Sequence, residues 1–148
     1  GRVPPEVCEI AERVGELVVE RGAVLICGGK GGVMEAACRG AKRRGGLTVG
    51  ILPNGIEEAN PYVDIAIVTA MGEARNAINV KSADAVIALH GEAGTLSEIA
   101  LALKAGKKVI AIKTSGGISA KLASQVIGDK QILSAASADE AVDLALRK

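Results

Sequence analysis

The sequence predicts an α/β fold of the doubly wound, parallel-sheet class, and three observations carry that prediction. Short apolar runs of strand length alternate with helix-patterned segments along most of the chain. Two of the strand-to-helix junctions, at 28–32 and 91–94, are rich in glycine. The length, 148 residues, suits one compact domain over 1–148 that can bury a sizeable core.

The elements follow in order. Val7, Ile10, Ala11, Val14, Leu17 and Val18 recur at helical spacing behind Pro4 and Pro5. This predicts a helix over 5–21, ended by Gly22 in a left-handed conformation. Residues 23–27 form a continuous apolar run of the kind that fills a buried parallel strand. The loop CGGKGGVME and a helix of small residues come next, and Gly45 and Gly46 stop that helix. LTVGILP and VDIAIVT read as two more buried strands, separated by a polar loop that carries Asn60 and Pro61. GEARNAINVKSAD reads as a helix.

The strand, loop, helix pattern then repeats. Residues 85–89 are apolar, a helix follows the second glycine loop, and Gly106 stops it before a strand over 109–112. Beyond a turn at Gly116 and Gly117 the pattern predicts a helix over 119–126, a short strand over 131–134 and a last helix. Ser137 and Glu140 in SADE fit a capping box at its start. Folds of this class hold ligands at the carboxyl ends of their strands, where both glycine loops are expected. They usually open with a strand, whereas this chain opens with GRVPPEVCEI. An N-terminal strand is therefore expected to be absent from this numbering, with Gly1 and Arg2 as a remnant of its loop.

Composition excludes several functions. Phe and Trp are absent and Tyr occurs once, so base stacking on aromatic side chains is not on offer. Lys plus Arg number 18 against 17 Asp plus Glu, a net charge of +1 that supplies no broad field for nucleic acid or an anionic membrane. Neither partner is expected. Cys8, Cys27 and Cys38 show no metal-ligand spacing and suggest reduced, buried thiols in a cytoplasmic protein. His90 is the single histidine and has no carboxylate cluster around it, so no metal site is expected. No apolar run reaches membrane-spanning length.

The candidate site residues lie in and beside the glycine loops. In the first loop Gly28, Gly29, Lys30, Gly31 and Gly32 let backbone approach a ligand, and the helix start behind them offers amides to phosphate. The pattern is neither a Walker A loop nor GxGxxG, and a plain tight turn explains the glycines equally well. Gly91, Gly94 and Thr95 carry the same chemistry in the second loop. Arg75, in MGEARN, stands just after a strand end, where a guanidinium can clamp a phosphate, although a surface arginine reads the same way. Arg39, Lys42, Arg43 and Arg44 read as a solvated helix end beside the negative pole of its dipole. His90 reads as a loop residue, without a Ser or Cys partner nearby in sequence. Glu98 carries two readings. TLSE is formally a capping box, with Thr95 as cap and Glu98 reaching back. Alternatively, Glu98 faces a bound sugar and steadies an oxocarbenium-like ribose or positions water at its anomeric carbon.

Three segments together, GGKGGVMEAACRGAKRRGGLTVGILP, ANPYVDIAIVTAMGEARN and SADAVIALHGEAGTLSEIALALKAGKKVI, resemble the Rossmann-like superfamily of molybdenum cofactor carrier proteins and LOG phosphoribohydrolases. The resemblance spans about 3–112 and is nearer to the carrier branch. It implies a three-layer Rossmann-like fold and a homo-oligomer, dimer or tetramer. Its phosphate-binding motif, Pro-Gly-Gly-x-Gly-Thr-x-x-Glu, puts the family glutamate on Glu98 and its arginine on Arg75; in the hydrolase branch both are catalytic. No cofactor is required for catalysis, and a nucleotide or molybdenum cofactor is implied as ligand. His90 and Glu92 depart from the motif, standing where proline and the second glycine are expected. A charge at 92 opposes phosphate by roughly 1 kcal/mol in water at about 4 Å, and by about 4 kcal/mol at an effective dielectric of 20. Either its side chain turns outward or the loop has lost its preference for anions. Many family members carry the label lysine decarboxylase-like, but no pyridoxal-phosphate lysine motif is recognisable here. The expectation is a phosphorylated-ligand carrier, with nucleoside monophosphate hydrolysis as the alternative.

Overall fold

A computed structural model describes residues 2–148, so the reading of Gly1 as a loop remnant lies outside the described residues. The chain forms two compact units, Gly1–Asn79 and Val80–Lys148.

In the first unit, α1 (Pro5–Glu20) leads through Gly22, at φ 77°, to β1 (Leu25–Cys27). Next come α2 (Val33–Arg43), β2 (Thr48–Leu52) and β3 (Ile65–Val68), forming a parallel sheet in the order β1-β2-β3. Ile51 and Leu52 on the central strand are buried, whereas Ile65, Ile67 and Val68 on β3 stay exposed. The expected strands are present but shorter than their apolar runs, because hydrogen-bonded pairing stops where the neighbouring strand does.

The pairing of α1 with α2 rests on two glycines. A Cβ at Gly15 would stand 2.0 Å from the Ala37 carbonyl oxygen, and one at Gly40 would stand 2.0 Å from that of Glu12. Backbones this close leave no room for alanine at either position. The basic run lies at the solvated end of α2, as expected, and its charges are also paired. Arg39 donates to Glu12 at 2.7 Å, Arg43 reaches Glu12 at 3.1 Å, and Arg44 reaches Glu16 at 3.1 Å and Glu20 at 3.2 Å. Lys42 pairs with Asp64 at 2.9 Å. Helical periodicity aligned these charges, but only packing against α1 and the turn before β3 supplied their partners.

In the second unit, α3 (Arg75–Ser82), which begins at the end of the first, runs into β4 (Ala85–Leu89), α4 (Ala93–Lys104) and β5 (Lys108–Ile112). A parallel sheet of order β4-β5-β8 follows, with β8 at Leu133–Ala135. β5 is central, and Val109 to Ile112 are almost completely buried. Val80, Ala88, Ile99, Ala102, Leu103, Val109, Ala111 and Ile132 form one apolar cluster under this sheet. The helix expected over 119–126 is displaced. α5 covers Gly117–Leu122, and Val126–Ile127 forms β6, paired antiparallel with β7 at Lys130–Gln131. Gly128, at φ 65°, turns that hairpin. The final helix, α6 (Ala138–Leu146), has Ser137 as cap, accepting from the Glu140 amide at 3.1 Å. Only half of the expected box forms, since the Glu140 carboxylate takes the Ala136 amide at 3.0 Å. Among the described residues no helix is long and apolar enough to cross a membrane.

Candidate functional site

The first glycine loop leaves β1 at Cys27 and enters α2 through Gly32, the helix cap, at φ 69°. Ala36 is the first residue of the helix to donate back into the loop, to the Gly32 carbonyl at 3.0 Å. The amides of Val33, Met34 and Glu35 therefore precede the helical ladder, the arrangement that favours an anion. Gly29, at φ 77°, sits against β2, where a Cβ would stand 2.7 Å from a Leu52 methyl and 3.0 Å from the Gly50 Cα. Gly28 and Gly29 are buried, Lys30 is half-buried, and Gly31 and Gly32 are exposed. The loop thus has a packed base and an open rim.

Asn60 holds that base. Its side-chain amide donates to the Lys30 carbonyl at 2.8 Å and the Gly29 carbonyl at 3.3 Å, while its backbone amide donates to Gly29 at 2.8 Å. Its side-chain oxygen, Oδ1, accepts from the Tyr62 amide at 2.9 Å. Sequence reasoning saw Asn60 only as part of a polar turn; its place before Pro61 was the available signal. Cys27 and Cys38 meet beneath the same loop, Sγ to Sγ 3.5 Å, and the Gly29 amide donates to Cys27 Sγ at 3.3 Å. The hydrogen bond from Cys27 holds the Cys38 thiol below its ordinary value; burial opposes this, and a hydrogen bond from Asn60 adds to it. Of the three expected buried thiols only Cys38 is fully buried, Cys8 and Cys27 being half-buried.

Arg75 is not a surface arginine. It begins α3 after a 3-10 turn at Gly72–Ala74, is only 6% exposed, and lies against the loop. A Cβ on Gly28 would stand 2.0 Å from Arg75 Nη1, so glycine at 28 makes room for the guanidinium. Arg75 Nε is buried and meets no acceptor. A buried, unmatched donor on a cation is costly, and a bound anion would satisfy it.

The second loop is built differently. It leaves β4 at His90 and Gly91, with φ of 55° and 90°, and enters α4 through Glu92 as cap. The Ser115 hydroxyl accepts from the His90 amide at 2.7 Å, and the Ser119 hydroxyl donates to the His90 carbonyl at 2.7 Å. The Ile118 amide donates to the Gly91 carbonyl at 2.9 Å. The His90 ring meets the Ser115 carbonyl through Nδ1 at 2.9 Å, and a carbonyl can only accept, so Nδ1 carries hydrogen. The two serines, 25 and 29 residues away, serve the His90 backbone and form no nucleophile and base pair with its ring. Their distance along the chain hid them from motif reading.

Glu98 does not close a capping box, which corrects one of its two sequence readings. The helix begins three residues earlier than expected, at Ala93, so Thr95 is its third residue and makes no cap. Thr95 instead packs on Gly91, where a Cβ would stand 2.1 Å from its hydroxyl oxygen. Glu98 is half-buried in the second turn, and Gly94 is exposed with open space around its Cα. Glu92 is exposed, makes no side-chain cap, and accepts the Leu96 amide through its carbonyl at 3.0 Å. The amides of Ala93, Gly94 and Thr95 precede this first helical bond.

A family model described as the SLOG cluster4 family matches residues 1–142. The chain belongs to the SLOG cluster4 family. This SLOG chain is 42% identical to the molybdenum cofactor binding protein of Rippkaea orientalis, at a TM-score of 0.86 over 96% of this chain and 87% of that one. It is 34% identical to the molybdenum cofactor carrier protein of Chlamydomonas reinhardtii, at a TM-score of 0.84 over 96% and 88% of the two chains. A cytokinin riboside 5'-monophosphate phosphoribohydrolase of Mycobacterium marinum is 35% identical over 99 residues, 64% of this chain and 53% of that protein. The match thus spans about half the length of that curated relative. The architecture of the SLOG chain, parallel sheets flanked by helices, is the Rossmann-like one of the solved carrier proteins.

Proposed function

We propose that this SLOG cluster4 protein binds a phosphorylated small molecule, a nucleotide or a molybdopterin-like compound, and serves as a molybdenum cofactor carrier. The observation that carries the reading is Arg75, a buried guanidinium against Gly28 with an unmatched Nε. An anionic oxygen would complete that arrangement by accepting from Nε. Gly28, Gly29, Lys30, Gly31 and Gly32 would present backbone amides and a lysine to the ligand. Gly91, Gly94 and Thr95 carry a second set of helix-start amides. The likeness to two molybdenum cofactor proteins over nearly the whole chain supports a carrier. On this reading the chain acts as one domain, a cytosolic homo-oligomer, dimer or tetramer. The half-exposed Ile65, Ile67 and Val68 supply apolar surface for a second copy.

A second reading, hydrolysis of the N-glycosidic bond of a nucleoside 5'-monophosphate, is favoured by one specific observation. Glu98 stands half-buried in the second turn of α4, just behind the second glycine loop, and the hydrolase relative keeps that activity class in view. Arg75 and Glu98 would then act on phosphate and sugar. Mass spectrometry of small molecules carried through native purification tests the carrier reading, which expects molybdopterin or a nucleotide at near-stoichiometric amount. Incubation with purine and cytokinin-type monophosphates decides the alternative. Release of free base that disappears in Glu98→Ala would replace the carrier by the enzyme.

A further inference from the structure

We propose that Cys27 and Cys38 form an oxidisable dithiol that closes to a reversible disulfide around the first glycine loop. The two sulfurs already stand 3.5 Å apart, with Cys27 at the end of β1 and Cys38 on the buried face of α2. A disulfide needs about 2.05 Å, a short approach for two side chains that already touch. The residues enclosed, 28–37, contain the whole loop and the first turn of its helix.

The chemistry runs in two exchanges with a low-molecular-weight disulfide as oxidant. The thiolate of Cys27, the more accessible sulfur, attacks one sulfur of the oxidant and expels one thiolate, which takes up the proton Cys27 gave up. Cys38, as thiolate, then attacks Cys27 Sγ, the second small thiolate leaves, and it takes up the Cys38 proton. Two protein thiols are oxidised, and one small disulfide is reduced to two thiols. The lowered pKa of Cys38, which favours its thiolate, assists the second exchange. Closure also has a mechanical consequence. Cys27 Sγ accepts the Gly29 amide at 3.3 Å, and Asn60 contacts both Cys38 and the Gly29 carbonyl. Drawing the sulfurs together pulls that acceptor from Gly29 and re-aims the loop. The effect on ligand binding rests on the function proposed above; the disulfide itself does not.

The test treats the full chain with glutathione disulfide, counts thiols, and maps linked peptides by mass spectrometry. Two of the three thiols should disappear, Cys27 and Cys38 peptides should be joined within one chain, Cys8 should stay reduced, and a dithiol should reverse the change. Cys38→Ala should leave the small thiol trapped on Cys27. Three intact thiols, a trapped mixed disulfide in the unsubstituted protein, or a bridge to Cys8 would overturn the proposal, and none of these readings depends on a variant folding. In a separate arm, AMP affinity is measured on reduced and oxidised protein, with an expected loss of about tenfold, within the usual range of coupling between linked sites. Equal affinity in both forms would overturn the coupling. No AMP binding by the reduced protein would instead count against the ligand reading and leave the disulfide to the peptide map.

Discussion

The loops at 28–32 and 91–94 both follow a strand and both open a helix, yet their polar groups are satisfied in opposite ways. Around His90 and Gly91, the backbone groups find Ser115, Ser119 and the Ile118 amide at 2.7 to 3.1 Å. Beside Gly28 stands a buried guanidinium whose Nε has no acceptor. The backbone of His90 and Gly91, knit in this way, is explained by folding alone. A loop that keeps a buried guanidinium with an unmatched Nε is not, because stability by itself favours an apolar side chain there. The comparison teaches that similar glycine patterns hold different arrangements, a backbone tied down by distant serines in one place and a buried guanidinium with an unmatched Nε in the other.

The largest expected effect breaks the comparison at its functional side. Arg75→Met should lower AMP affinity about 100-fold, equivalent to about 2.7 kcal/mol, by calorimetric titration. Thermal unfolding of the ligand-free protein should be unchanged or raised, since a buried cation with an unmatched Nε is removed. A steep fall in melting temperature with binding intact would make Arg75 a structural residue. Next comes Gly91→Ala, which forces a positive φ and a Cβ into Thr95. Urea unfolding should show a loss of about 2 kcal/mol.

Ser115→Ala sharpens the knit side of the comparison. It removes the acceptor of the His90 amide and should cost about 1 kcal/mol by the same measurement. The smallest effect concerns pH and lies away from both loops. Hydrogen bonds from Arg39 and then Arg43 hold the Glu12 carboxyl below its ordinary 4.5. A lowered folded value means its contribution is present above the ordinary value and fades as pH falls through the lowered one. The melting difference between the protein and Glu12→Gln should therefore shrink on acidification from about pH 6 to 3 and on adding salt.

Much of this fold was legible because the periodicities are local. The apolar repeat behind Pro4 and Pro5, the stops at Gly22, Gly45 and Gly106, and the runs at 48–52, 85–89 and 109–112 depend on neighbours within a few residues. The helix expected over 119–126 failed for the opposite reason. Val126 and Ile127 are apolar enough for either state, and the antiparallel partner at Lys130–Gln131 decided it. The start of α4 was misjudged because Thr95 and Glu98 fit a cap formally, while the backbone turn at Gly91 had already begun the helix at Ala93. Of the site, the glycines and Arg75 could be named from sequence, but not the burial of Arg75, the clasp by Asn60 or the serines behind His90.

The sequence by itself determined the alternation of strand and helix, the two glycine junctions, and the residue types available for phosphate. These are properties of backbone freedom and short-range spacing. Tertiary structure alone decided which polar groups are satisfied: Ser115 and Ser119 reach His90 from 25 and 29 residues away, Glu12 meets Arg39 across two helices, and Arg75 is buried against Gly28 unmatched. The physical reason is that hydrogen-bond satisfaction is settled by which distant segments pack together, and no local pattern encodes that choice.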